Sequence, residues 1–182
     1  MHARYVFNLA SRERRRELPP KILLVQRETE TLRHILLKLF GYVLFHRERV
    51  QLEARLDDHY LQYTPDVVQL DYQGRIALWV ECGECGVEKL DRLAVKAPYA
   101  EIWVVKASAS AARDLLHQME RQKLRRERYR IVALDAGMLE EVSGLVTARN
   151  DLVWHLGLFD PPRMQFEFNG LWFESEFEVF EH

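Results

Sequence analysis

The clearest periodicity in the chain runs from Leu32 to Leu44. There Leu32, Ile35, Leu36, Leu39, Phe40, Val43 and Leu44 recur at the three- and four-residue spacing of one helix face. The spacing predicts a helix that starts near Thr29, with Glu28 and Glu30 in its first turn, where acidic side chains complement the helix dipole. Period-two alternation marks strands on either side. Tyr5, Phe7 and Leu9 share one face of Arg4 to Leu9, and Ile22 to Val25 is a short apolar run after a basic loop from Ser11 to Pro20. Val50, Leu52, Ala54 and Leu56 alternate with Gln51, Glu53 and Arg55 as a half-buried strand, and Asp57-Asp58-His59 reads as a turn.

The stretch from Thr64 to Lys96 carries most of the candidate chemistry. Val67 to Tyr72 and Ile76 to Glu81 are rich in β-branched and aromatic residues, and Gln73-Gly74 between them suits a two-residue hairpin turn. In that register Tyr72 faces Arg75, and Asp66, preceded by Pro65 at the strand start, faces Glu81. Directly opposed side chains on one sheet face have Cβ atoms roughly 4.5–5.5 Å apart. Two carboxylates that close call for a cation, a proton or a basic group between them. A hard divalent ion such as Mg²⁺ or Mn²⁺ meets that need with one or two protein carboxylates; a solvated pair at a sheet edge is the simpler alternative. A helix from Val87 follows, with Lys89, Arg92 and Lys96 near one face, so basic side chains start beside the acidic pair.

Further on, Ile102 to Val105 and Ile131 to Leu134 are continuous apolar runs suited to buried strands, and a helix from about Ser110 to Arg126 joins them as a parallel crossover. Met138 to Val146 reads as a last helix. Gln165 to Phe168, Asn169-Gly170 and Leu171 to Phe180 form a strong hairpin pattern, with Phe168 opposite Leu171 and Phe166 opposite Phe173. The expected architecture is α/β, more closely α+β: a mixed sheet flanked by helices, one domain over residues 1–182, with residues 151–182 as a β-rich C-terminal extension.

Composition narrows the partners. With 26 basic and 28 acidic residues among 182, the formal charge of −2 gives no global attraction to nucleic acid, so such binding needs a local patch. The run Arg121 to Arg130 is one candidate, although a solvated helix end accounts for it as well. No stretch approaches roughly 18 apolar residues and no secretory leader is visible, so a cytoplasmic protein without membrane contact is expected. Cys82 and Cys85 are too few for a disulfide framework or a four-cysteine zinc site; a redox pair or two bland thiols remain, and a redox pair would show a depressed thiol pKa. The seven histidines show no ligand spacing, and His34 and His46 read as helix-surface residues.

From Glu30 to Val105 the order is helix, strand, strand, strand, helix, strand, carrying Pro65-Asp66 and then Glu81 one hairpin later. This looks like the core of the PD-(D/E)xK nuclease superfamily. More closely, the chain resembles the YaeQ family of small bacterial proteins over about residues 3–150. The carrying residues are Glu28-Thr29-Glu30 ahead of the long helix, Tyr63-Thr64-Pro65-Asp66, Trp79-Val80-Glu81-Cys82-Gly83, and the basic helix from Lys89 to Lys96. The resemblance implies a metal-dependent hydrolase acting on nucleic acid, with Asp66 and Glu81 holding Mg²⁺ or Mn²⁺ and Glu30 joining them. The superfamily's lysine, two positions after the glutamate, is absent because position 83 is Gly. Lys89 is the expected substitute, with Arg92 and Lys96 as alternates. The competing expectation is a nuclease fold without cleavage, acting as a binding or regulatory module.

Overall fold

The computed structural model describes residues 2–56 and 62–182. The expected turn at Asp57-Asp58-His59 lies outside the described residues. The elements run β1 (Arg4–Ser11), β2 (Lys21–Val25), α1 (Leu32–Leu44), β3 (Val50–Leu52), β4 (Val67–Leu70), β5 (Ile76–Cys82), α2 (Val87–Lys96), β6 (Glu101–Lys106), α3 (Ala109–Arg121), β7 (Tyr129–Ala133) and α4 (Ala136–Leu145). They close with β8 (Arg149–Phe159), β9 (Pro162–Phe168), β10 (Leu171–Glu176) and β11 (Glu178–Glu181). Two mixed sheets result, one ordered β10-β9-β8-β1-β2 and the other β11-β7-β6-β5-β4-β3.

Helix α1 lies between the sheets. All ten residues from Ile35 to Leu44 are buried, because the inner faces of both sheets and α4 pack into one cluster around it. A stripe on one face was the expectation; a second sheet covers the other side as well. Phe40 meets Phe166 of β9 at 5.1 Å between ring centres, and Phe166 stacks on Phe173 of β10. The aromatic C-terminal hairpin therefore packs on the central helix, in the expected register of Phe168 with Leu171 and Phe166 with Phe173. Asn169 and Gly170 both take positive φ, as a tight hairpin turn requires. On the far side of the six-stranded sheet, α2 and α3 cover a separate cluster that includes Trp79, Leu90, Leu93 and Tyr129.

Several local expectations shift. The helix starts at Leu32, not near Thr29: the Thr31 side chain accepts the His34 N–H as N-cap, so Glu28 and Glu30 precede the helix instead of filling its first turn. Strand β3 ends at Leu52 because Glu53 turns to φ 45°. The β4–β5 turn is longer than two residues. The Asp71 carboxylate accepts the backbone N–H groups of Gln73 and Arg75, and a register shift between Gln69 and Leu70 absorbs the extra length. Beyond that shift Val67 pairs with Val80 and Val68 with Trp79, the expected register. Helix α3 runs Ala109–Arg121, capped by Ser108, and stops short of Arg126. The strand from Leu171 to Phe180 divides at Phe177: β10 stays with β9, while β11 joins β7 in the other sheet. Strand β8, parallel to β1, had no counterpart in the sequence pattern, and it ties residues 149–176 into one sheet with residues 4–25.

Candidate functional site

At the C-terminal end of β5, three loops and two helices converge on a group of charges. Asp66 precedes β4, and one further step of the Val67–Val80 register places it across from Glu81. Its Oδ2 accepts the N–H of Cys82 at 2.7 Å, which pins the carboxylate against the residue after Glu81. Glu81 is buried, and its Oε1 accepts from Trp79 Nε1 at 2.6 Å and Lys89 Nζ at 2.7 Å. Burial pushes the Glu81 carboxyl above its ordinary pKa and the Asp66 charge adds to that, against the pull of Lys89 and the Trp79 N–H. The two carboxylates thus feel one another, as the hairpin register requires.

Lys89 comes from the first turns of α2. Besides Glu81 it faces the rings of Tyr63 at 5.2 Å and Trp79 at 5.9 Å, and the Tyr63 hydroxyl accepts from Arg92 at 3.1 Å. Of the three expected basic residues, Lys89 therefore meets the acidic pair directly and Arg92 stands one residue behind it. Lys96 lies at the other end of α2.

On the α1 side, Lys38 was not expected. Its side chain is 1% exposed, and its Nζ bonds Glu30 Oε1 and Glu53 Oε1, the latter at 2.7 Å, with Asp66 Oδ1 at 3.7 Å. Burial alone would lower the Lys38 pKa, but the three carboxylates raise it, so the ammonium stays charged. For Glu30, burial opposes ionisation, and the Arg27 N–H and Lys38 outweigh it, leaving the carboxyl below its ordinary value. Glu30 thus reaches the site through Lys38. A signal for Lys38 was present: a single cation inside the run Ile35 to Leu44 has to be buried if the helix is apolar all round. Glu53 carried none, since its place depends on where β3 ends. His34, expected on the helix surface, instead stands 3.7 Å from Glu30 and 3.9 Å from Asp66. His46 follows α1, half-buried, and burial holds it below its ordinary pKa.

The donor set bears on metal binding. Among the described residues, no three His, Cys, Asp or Glu side chains are grouped as a metal cage. Asp66 and Glu81 supply oxygen donors only, and both described bonds to Glu81 fall on Oε1. That fits a hard ion which keeps most of its waters, such as Mg²⁺, and does not fit a closed zinc-type site. The thiols point away from redox chemistry. Burial, with Asp66 and Glu81 nearby, pushes Cys82 far up and Cys85 up to about 12, opposite to the depression a reactive pair requires. The basic run near α3 is largely spent on structure: Arg128 donates to the carbonyls of Ala94, Ala97 and Ala100, and Arg125 pairs with Asp91. No helix among the described residues is long and apolar enough to cross a membrane.

Comparison with known proteins places the chain. Its fold is similar to the crystal structure of a YaeQ protein from Xanthomonas axonopodis pv. citri, with a TM-score of 0.71 at 17% identity over 99% of this chain and 97% of that one. It is similar also to a YaeQ protein from Pseudomonas syringae, with a TM-score of 0.74 at 14% identity over 100% of this chain and 97% of that one. No curated protein matches it. The family model described as YaeQ protein matches residues 3–156, and with that span the chain belongs to the YaeQ family.

Proposed function

We propose that this protein hydrolyses phosphodiester bonds of nucleic acid, with Asp66 and Glu81 holding Mg²⁺ or Mn²⁺. The carrying observation is the Asp66–Glu81 pair at the end of β5 with Lys89 Nζ 2.7 Å from Glu81. The order α1-β3-β4-β5-α2-β6 supports reading this core as a PD-(D/E)xK variant in which Gly83 stands at the lysine position. When bound, the ion would supply Lewis acidity towards water and phosphate. Lys89 then offers positive charge beside the pair for the charge that builds on phosphoryl oxygens. Glu30 and Glu53 assist by fixing Lys38, which in turn faces Asp66.

The test is calorimetric titration of Mn²⁺ and Mg²⁺ into the wild type and Asp66→Ala, beside a cleavage panel of labelled single- and double-stranded DNA and RNA. Metal binding and metal-dependent cleavage in the wild type, both lost in Asp66→Ala, are expected. Absence of metal binding in both proteins overturns the reading. A second reading, a binding module without cleavage, is favoured by one observation: Lys38 and Lys89 already compensate the acidic groups. It predicts oligonucleotide binding in the panel with no cleavage under either metal.

A further inference from the structure

His34 lies in the first turn of α1, and its ring reaches the end of β5. Gly83 has φ +85°, and a Cβ built there would lie 3.5 Å from His34 Cδ2 and 3.7 Å from Leu37 Cδ1. The imidazole therefore covers the backbone two residues past Glu81, filling space that a side chain at position 83 would enter. Its two nitrogens face carboxylates at longer than hydrogen-bond distance: Nδ1 is 3.7 Å from Glu30 Oε1, and Nε2 is 3.9 Å from Asp66 Oδ2. Nε2 is shielded from solvent and has no hydrogen-bond partner among the described residues. Buried polar atoms are normally bonded, and an exception beside paired carboxylates points to a partner that arrives with the substrate.

The other cations around the site are already engaged. Lys38 serves three carboxylates and is sealed from solvent, and Lys89 is held by Glu81 between two rings. The His34 side chain keeps 26% of its exposure, so a ligand can reach it. We propose that His34 is a catalytic residue of this site: its Nε2–H donates to a non-bridging phosphoryl oxygen of the nucleic acid drawn against Asp66. No bond of the imidazole is made or broken; it holds charge that builds on that oxygen. The assignment rests on the phosphodiesterase reading and adds to it the group that grips the phosphate.

The experiment measures kcat and KM of the wild type, His34→Ala and His34→Gln on the labelled DNA and RNA panel, with and without added imidazole. The His34 ring signals are followed by NMR as Mn²⁺ is titrated into the wild type. Expected is a fall in kcat of roughly 10²-fold in His34→Ala, the scale of a lost oxyanion donor, with KM little changed. Imidazole restores part of that loss but does nothing for Asp66→Ala, His34→Gln keeps part of the activity, and Mn²⁺ broadens the His34 signals. Wild-type kcat in His34→Ala overturns the inference and leaves the phosphodiesterase reading standing. A loss that neither imidazole nor Gln recovers overturns it too, as a structural effect. Sharp His34 signals under Mn²⁺ in a protein that cleaves place the ion elsewhere and overturn it as well. A wild type that cleaves nothing in the panel overturns both.

Discussion

Replacing Lys38 by Met keeps the volume of the side chain but removes the ammonium that Glu30, Glu53 and Asp66 share. The lysine is 1% exposed, whereas the three carboxylates are 7%, 24% and 15% exposed, so little water can take its place around Glu30 and Asp66. Removing one partner of a buried ion pair costs about 3–5 kcal/mol, because the remaining charge stays buried. Glu53 is the most exposed of the three and turns to water most easily, which argues for the lower half of that range. At about 2–4 °C per kcal/mol for a chain of this size, Tm falls by roughly 6–15 °C. The pH dependence separates charge from packing. Without the ammonium the carboxyls move above their ordinary range, the folded variant binds protons more tightly than its unfolded chain, and its deficit shrinks as pH falls. Thermal melts of wild type and variant at about pH 7 and about pH 5 read this directly. A Tm within about a degree of wild type at neutral pH would refute the buried network, and a deficit independent of pH would show that Lys38 acts through packing alone.

Two more predictions address neighbouring contacts. Glu30→Gln tests the depressed carboxyl: the stabilisation from its charge is fully present above the ordinary value of 4.5 and is lost as pH falls through the lower folded value. The wild type should therefore exceed the variant by about 1–2 kcal/mol in urea melts near neutrality, with the gap closing in acid. Gly41→Ala tests the approach of α1 to β5, since a Cβ there would lie 2.9 Å from the buried Cys82 Sγ. Overpacking of about 1–3 kcal/mol outweighs the roughly 1 kcal/mol gained by removing a helical glycine. In a Cys82→Ala background the same substitution should become neutral or stabilising, and a penalty that persists there would disprove the sulfur contact.

How much of this was legible can be traced element by element. The order from α1 to β6 follows local pattern, and each of those segments carries its own period. The Asp66–Glu81 relation survived a wrong turn, because the shift at Gln69/Leu70 restores the register that a tighter hairpin would have set. Strand β8 escaped notice because Asn150 and His155 interrupt its apolar pattern, and its partner β1 lies more than a hundred residues earlier. Without β8 the second sheet is invisible, and so is the reason α1 is buried on every side. Local periodicity reports which face is apolar; it does not report how many layers the chain will stack on it.

That missing layer decides the chemistry. A helix with one covered face would leave Lys38 in water and Glu30 as an ordinary acidic residue ahead of a helix. Enclosure between two sheets forces Lys38 to find carboxylates inside the protein, and the backbone supplies them where it leaves regular structure. Glu30 precedes the Thr31 cap, Glu53 turns at φ 45°, and Asp66 lies at the entrance to β4, its carbonyl accepting the Glu53 N–H at 2.9 Å. Asp66 then belongs to two charge groups at once, facing Lys38 through Oδ1 while its Oδ2 is fixed on Cys82 beside Glu81. A change at Lys38 should therefore be felt at the Glu81 carboxyl although no described contact joins them. In Lys38→Met the loss of compensation raises the Asp66 carboxyl, so Asp66 is protonated over a wider acid range and its repulsion of Glu81 is relieved there. Carbonyl-labelled NMR of the Glu81 carboxyl across an acid titration would register that coupling, and an unchanged Glu81 curve would show that the two groups act independently.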